Sequence, residues 1–170
     1  MSSLIIYSST DGHTKIICEK IKNTLKNSNH IELVSLSHAK NLNLSKFNKI
    51  IIGASIRYGK HSSELYKFIK TNKNILEKKE TAFFSVNVVA RKIEKSNPET
   101  NPYFKKFLKI SNWKPGKVAV FAGKVDYPNY NFFDRFIIKL IMFITKGPTD
   151  TSQSYEFTDW SKVKAFAKKL

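Results

Sequence analysis

The stretch LIIYSSTDGHTKIICEKI, Leu4–Ile21, decides how the rest of the chain is read. It opens with a short apolar run of β-favouring residues, Leu4–Ser8. It then crosses a polar segment, SSTDGHT (Ser8–Thr14), and from His13 takes up helical spacing through Ile16, Ile17, Ile21 and Leu25, which predicts a helix over His13–Lys26. A strand that feeds a small polar loop and then a helix N-terminus presents free backbone N–H groups and the positive end of a helix dipole to an anion. Ser9, Thr10 and Thr14 add hydroxyl donors, and Gly12 lets the backbone turn tightly around a phosphate. A Walker loop needs a Lys followed by Ser or Thr after its glycines, and a dinucleotide fingerprint needs three glycines; neither is present.

Working outward, strands alternate with helices. Ile31–Leu36, Lys49–Ala54 (KIIIGA), Thr81–Val89 (TAFFSVNVV) and Lys117–Ala122 (KVAVFA) read as further strands. Ser62–Lys73 and Pro102–Ile110 read as helices. KIIIGA is apolar enough to be buried on both faces. Ser154–Thr158 reads as a short strand, and Thr158 or Asp159 caps a last helix carrying Trp160, Val163, Phe166 and Ala167. This order predicts an α/β fold: one domain spanning residues 1–170, with a doubly wound parallel sheet and helices on both faces. In such sheets a ligand lies at the carboxyl ends of the strands, at the switch point. The loops SIRYG (Ser55–Gly59) and NVVARK (Asn87–Lys92) should therefore meet the Ser8–Thr14 loop at one edge. Tyr58 is suited to lie against a flat ring, and Gly59 to permit close backbone approach.

The 170 residues carry a formal charge of +17, thirty basic against thirteen acidic. That charge would attract nucleic acid, an anionic membrane or an anionic small molecule; the alternative source is compositional drift toward Lys, Asn and Ile, as in AT-rich genomes. Aromatics interleave with lysines in YFKKFLKISNWK (Tyr103–Lys114), but their spacing reads as one buried helical face. No nucleic-acid motif is present and no nucleic-acid partner is expected. One cysteine, Cys18, allows no internal disulfide and fits a reducing compartment. His30, His38 and His61 show no metal-ligand spacing, so no metal is expected. The opening residues lack a basic n-region, so no signal peptide is expected.

The motifs resemble those of a known family. SSTDGHT is similar to the phosphate loop of flavodoxins. IIGASIRYGKH (Ile51–His61), FFSVNVVARK (Phe83–Lys92), NPYFKKFL (Asn101–Leu108), YPNYNFFDRFIIKLIM (Tyr127–Met142) and FTDW (Phe157–Trp160) resemble the flavodoxin-like, quinone-dependent protoporphyrinogen IX dehydrogenases of bacterial haem synthesis. The resemblance implies a flavodoxin-like five-stranded sheet of order 2-1-3-4-5, with an insertion of about 124–153 interrupting strand 5. It implies noncovalent FMN, oxidation of protoporphyrinogen IX to protoporphyrin IX, and transfer of electrons to menaquinone or ubiquinone. Six electrons leave the porphyrinogen, so a flavin that takes two at a time must turn over three times. The rival readings are a flavodoxin-type electron carrier and an NAD(P)H:quinone reductase of the same fold.

Carried onto this chain, Ser9, Thr10, Asp11, Gly12, His13 and Thr14 hold the FMN phosphate. Ser55, Ile56, Arg57, Tyr58 and Gly59, with Ser85, Val86, Asn87, Val88, Val89, Ala90 and Arg91, flank the isoalloxazine. Arg57 and Arg91 are the catalytic candidates. A cation beside the flavin favours the negative charge that reduction places on it; the same guanidinium could pair with a substrate propionate, or simply be solvated.

The remaining feature is NYNFFDRFIIKLIMFITKG (Asn129–Gly147), with ten large apolar residues between Phe132 and Ile144. On a helix over Phe132–Lys146, Arg135, Lys139 and Lys146 fall on one stripe, and Phe132, Phe133, Phe136 and Leu140 lie among the apolar residues covering the remainder. Such a helix extends ~21 Å, short of the ~30 Å hydrocarbon core of a bilayer. It suits an anionic membrane interface or a large apolar substrate, with Tyr127 and Tyr130 at a headgroup boundary or porphyrin face. The competing reading is a core helix packed on the sheet. The resemblance places the protein peripherally on the cytoplasmic face of the bacterial inner membrane.

Overall fold

The computed structural model describes residues 2–25 and 30–170. A parallel sheet of five strands, β1 (Ser3–Ser8), β2 (Ile31–Ser35), β3 (Lys49–Ser55), β4 (Glu80–Val86) and β5 (Lys117–Phe121), has the spatial order β2-β1-β3-β4-β5. Helices α1 (His13–Thr24), α2 (Leu36–Ala39), α3 (Ser63–Leu76) and α4 (Pro102–Ser111) occupy the crossovers. The expected end of α1 at Lys26 lies outside the described residues.

Alternation along the strands divides the core in two. Leu4, Ile6, Ile50, Ile52, Phe83 and Val120 pack with Leu65, Phe68, Ile69, Phe104 and Phe107 of α3 and α4. Ile5, Ile51, Phe84 and Phe121 pack on the other face with Ile17 and Ile21 of α1 and with Val163, Phe166 and Ala167 near the C-terminus. Gly53 is required by that second face, because a Cβ there would fall 2.2 Å from the Phe84 ring.

Side-chain caps move several boundaries. β2 stops at Ser35 rather than Leu36 because the Ser35 hydroxyl accepts from His38 N and starts α2. β4 stops at Val86 rather than Val89. Asn87 N still bonds Phe121 O, but its side chain accepts from Ala90 N at 3.1 Å and turns Val88–Arg91 into a 3₁₀ segment. Ser62 caps α3, which continues to Leu76.

After β5 the chain leaves the sheet. β6 (Lys124–Asp126) pairs antiparallel with β7 (Ser154–Glu156), forming a two-stranded ribbon that is the stem of the insertion. The ribbon carries α5 (Phe132–Ile144), which begins at Asn131, whose side chain accepts from Asp134 N. It ends two residues earlier than expected, at a turn in which Lys146 takes φ 55° and Gly147 N bonds Met142 O. Then α6 (Trp160–Lys168) returns to the sheet, with Asp159 as its cap. Thr158 instead donates to Ala122 O.

Candidate functional site

The loops after β1, β3 and β4 meet at one edge, as expected of a doubly wound sheet. Gly12 is the N-cap of α1, with φ 82° and no side chain closing the helix end. Around it, Ser9 Oγ, His13 Nδ1 and Thr14 Oγ1 are buried with no hydrogen-bond partner among the described residues. A buried hydroxyl without a partner costs about 1–3 kcal/mol, so Ser9 and Thr14 together make a standing deficit that an anion would relieve. His13 Nε2 lies 2.6 Å from Thr158 Oγ1. That hydroxyl already donates to Ala122 O, so the imidazole is the donor. Burial lowers the His13 pKa.

A pocket lined by Ser9, Thr10, His13, Thr14, Ser55 and Val86 shares Asp11, Ile56, Asn87, Val88 and Lys124 with a second cavity. The second cavity lies between the turns at Arg57–Gly59 and Asn87–Val89. Its far wall comes from the insertion: Val125 of β6, Tyr130, and Ile138, Ile141 and Met142 of α5. The two spaces therefore adjoin, one at the Ser9–Thr14 loop and the other against an apolar wall.

Arg57 sits at the junction. Its guanidinium bonds Asp11 of the first loop and Asp134 of α5, each at 2.8 Å, and lies 5.2 and 5.1 Å from the centroids of the Tyr58 and Tyr130 rings. Tyr58 donates its hydroxyl to Asp134 as well. Burial raises the Asp11 pKa, and the Arg57 charge works against that rise. Tyr58 and Gly59 both have positive φ, which turns this loop back toward the cavity.

Arg91 is placed differently from the expectation. It donates to Val88 O at 3.0 Å and to Thr145 O at 2.7 Å, over the Phe157 ring, so it fastens the end of α5 to the β4 loop and lines neither cavity. Arg91 is therefore a strut of the site. The basic stripe of α5 also divides. Arg135 turns inward and donates to the carbonyls of Tyr127, Pro128 and Tyr130, which leaves Lys139 and Lys146 exposed. Tyr127 is fully buried, with its hydroxyl on Pro148 O, and so presents no face to a headgroup or porphyrin. Tyr130 is buried too, but one edge lines the cavity. Ser85 and Ala90 lie behind the lining rather than in it.

Sequence reading missed Lys124, Val125, Tyr103 and the inner face of α5. The i, i+3, i+4 spacing of Ile138, Ile141 and Met142 was a usable signal for that face. Nothing marked Lys124.

A family model described as a flavodoxin domain matches residues 4–152. The chain is 40% identical over its full length to protoporphyrinogen IX dehydrogenase (quinone) of Escherichia coli K12, covering 94% of that protein. The chain belongs to the flavodoxin-like protoporphyrinogen IX dehydrogenase family. A relative of the same name from Leishmania major is 42% identical across 96% of this chain and 72% of its own length. Among solved structures, oxidised flavodoxin 1 of Bacillus cereus superposes with a TM-score of 0.57 at 14% identity, over 99% of this chain and 95% of its own. That likeness bears on the fold alone. Within the family frame, the cavity under α5 combines the flavodoxin loops with an insertion.

His61, behind the Arg57 turn, is 3% exposed, and burial lowers its pKa to about 4. The unfolded chain takes up this proton near its ordinary value of about 6.5, the folded chain only near 4. Folding stability from this group is therefore complete above that window and falls as pH drops through it, by up to about 3 kcal/mol. Urea unfolding at pH 7 and pH 4.5 should show the loss in the wild type and a smaller one in His61→Gln.

Proposed function

We propose that this chain oxidises protoporphyrinogen IX to protoporphyrin IX using bound FMN, with a respiratory quinone, menaquinone or ubiquinone, as the final acceptor. The observation that carries the proposal is likeness along the whole chain, insertion included, to enzymes named for this reaction. The residues present fit the cofactor, since the unpartnered Ser9 and Thr14 hydroxyls and the open N-terminus of α1 form an anion cradle beside the cavity. Bound FMN supplies a two-electron acceptor; the protein supplies binding, orientation and electrostatics.

Ser9, Thr14 and the backbone around Gly12 hold the phosphate. Ile56, Tyr58, Asn87, Val88 and Val89 bound the ring. Ile138, Ile141 and Met142 offer an apolar wall to a flat macrocycle and keep water from the reacting face. Arg57 is the cation at that wall. A substrate propionate reaching it exchanges with Asp134, because a guanidinium accepts one carboxylate fork in place of another.

The other side of α5 faces outward. Phe132 is 87% exposed and Phe143 73%, and Phe133, Phe136, Leu140 and Ile144 complete one contiguous arc, with Lys139 and Lys146 also exposed. Only Met142 of this helix is fully buried, which argues against the core-helix reading. None of the helices among the described residues is long and apolar enough to cross a membrane. An exposed apolar arc beside lysines suits the interfacial plane of an anionic bilayer. The protein is then peripheral on the cytoplasmic face of the inner membrane, and quinone reaches the cavity past α5 without crossing bulk water. Replacing Phe133, Phe136 and Phe143 with Ser should weaken binding to phosphatidylglycerol vesicles by about a hundredfold or more, given ~1.5–3 kcal/mol per buried aromatic. Flotation measures it, and undiminished binding removes α5 from the membrane contact.

The functional test is an anaerobic assay with protoporphyrinogen IX and a quinone as sole acceptor, without a reductase. Turnover there, together with no oxidation of NADH or NADPH, separates this reading from the electron carrier and from the pyridine-nucleotide reductase.

A further inference from the structure

The loops enclosing the cavity are tied from beneath by a buried polar chain that starts at His61, a residue the chemistry above does not use. His61 follows the Arg57–Lys60 turn, and its Nε2 lies 3.1 Å from Ser85 Oγ. Ser85 is fully buried, and its Oγ accepts from Asn87 Nδ2 at 3.3 Å. An amide nitrogen can only donate, so the Ser85 hydroxyl proton is left for His61 Nε2. The imidazole is then neutral with its proton on Nδ1, facing the Tyr66 hydroxyl at 3.5 Å. At the other end, Asn87 Oδ1 accepts from Ala90 N at 3.1 Å and from Asn101 Nδ2 at 3.2 Å. Asn101 Oδ1 in turn caps α4. Edges of Phe83 and Phe107, with ring centroids 5.8 and 5.5 Å away, enclose the imidazole.

His61, Ser85, Asn87 and Asn101 are almost completely buried, and in such surroundings removing one leaves its neighbours without partners. The chain joins the two turns between which a ring must lie: Arg57–Gly59 on one side and Asn87–Arg91 on the other. We propose that His61 is a positioning residue for the flavin ring, setting the spacing of those turns through Ser85 and Asn87. The proposal rests on the FMN site described under Proposed function. It needs from His61 a buried acceptor inside an aromatic pocket, which leucine cannot provide and glutamine can.

The test uses full-length His61→Leu and His61→Gln, each reconstituted with FMN. The readouts are the visible circular dichroism of the bound flavin, the FMN dissociation constant from fluorescence quenching, and kcat and KM. In His61→Leu the wild-type dichroic signature should be lost and kcat should fall about tenfold at unchanged KM, the factor of roughly one net hydrogen bond. The FMN dissociation constant should move less than about threefold, because the phosphate loop is untouched. His61→Gln should recover the signature and at least half the rate.

A wild-type signature and rate in His61→Leu would overturn the proposal. So would equal damage in His61→Gln, which would assign the effect to ring packing alone. Should the leucine variant not fold, Ser85→Ala takes its place: the same spectral change is expected, and an unchanged spectrum overturns the proposal. If the wild type binds FMN yet oxidises no porphyrinogen, the functional reading fails while the dichroism still decides His61.

Discussion

Replacing Tyr127–Gln153 with an Asn-Gly turn should leave a protein that binds FMN and no longer oxidises protoporphyrinogen IX. The graft is dictated by register. Asp126 and Ser154 are the last pair of the β6–β7 ribbon, and a two-residue type I′ turn closes an antiparallel pair at such a point. The deletion removes Tyr130, Ile138, Ile141 and Met142, the apolar wall of the cavity, together with the Asp134 partner of Arg57 and the Thr145 partner of Arg91. It touches none of Ser9, Gly12 or Thr14. FMN affinity should therefore stay within about tenfold, a change of ~1.4 kcal/mol. Porphyrinogen oxidation should fall by about a hundredfold or more, since burial of a large apolar substrate at ~25 cal/mol per Å² is lost with the wall. Assaying with a soluble short-chain quinone keeps membrane contact out of the comparison. A truncated protein that works at the wild-type rate would show that the wall plays no part in the reaction.

The second large effect has two signs in one variant. Ser9→Ala with Thr14→Val should weaken FMN binding by about a hundredfold or more, while raising the melting temperature of the FMN-free protein. The loss follows from two charge-assisted hydrogen bonds to phosphate at ~1.5–3 kcal/mol each. The gain follows because Ser9 Oγ and Thr14 Oγ1 are buried without partners, and replacing an unsatisfied hydroxyl by an apolar group of similar shape removes its desolvation cost. Titration with FMN and thermal unfolding of the same preparation check both. A fall in melting temperature would mean that the hydroxyls serve the fold; unchanged affinity would mean that the phosphate lies elsewhere.

Much of this was legible in the residues. Parallel strands buried on both faces read as continuous apolar runs, so KIIIGA and KVAVFA announced themselves, and their alternation with amphipathic helices pointed to a doubly wound sheet, whose order came from the family resemblance. The open helix end after β1 was legible for the same local reason: Ser9, Gly12 and Thr14 sit between a strand and a helix, within six residues of one another. The errors came where a side chain competes with the backbone. Val88 and Val89 favour a strand, yet the Asn87 carboxamide captures Ala90 N and ends β4 early. Arg91 and Arg135 carry the charge expected of binding residues, but their partners are backbone carbonyls, Thr145 O for the first and Tyr127 O for the second. Helical phase places an arginine on a stripe and does not say which carbonyls face it. Likewise no pattern in the residues announces that Asp134 returns from the insertion to meet Arg57 and Asp11, because that pairing depends on how β6 and β7 aim α5.

The central claim is that a flavin held by the first loop takes electrons from protoporphyrinogen IX in the cavity beneath α5. The direct measurement is the visible absorption of the FMN-reconstituted protein, mixed anaerobically with protoporphyrinogen IX and then with quinone. Bleaching of the flavin band without any pyridine nucleotide, followed by its return on adding quinone, is the expected result. A flavin that stays oxidised in the presence of protoporphyrinogen IX, or a protein that takes up no FMN at all, would contradict it.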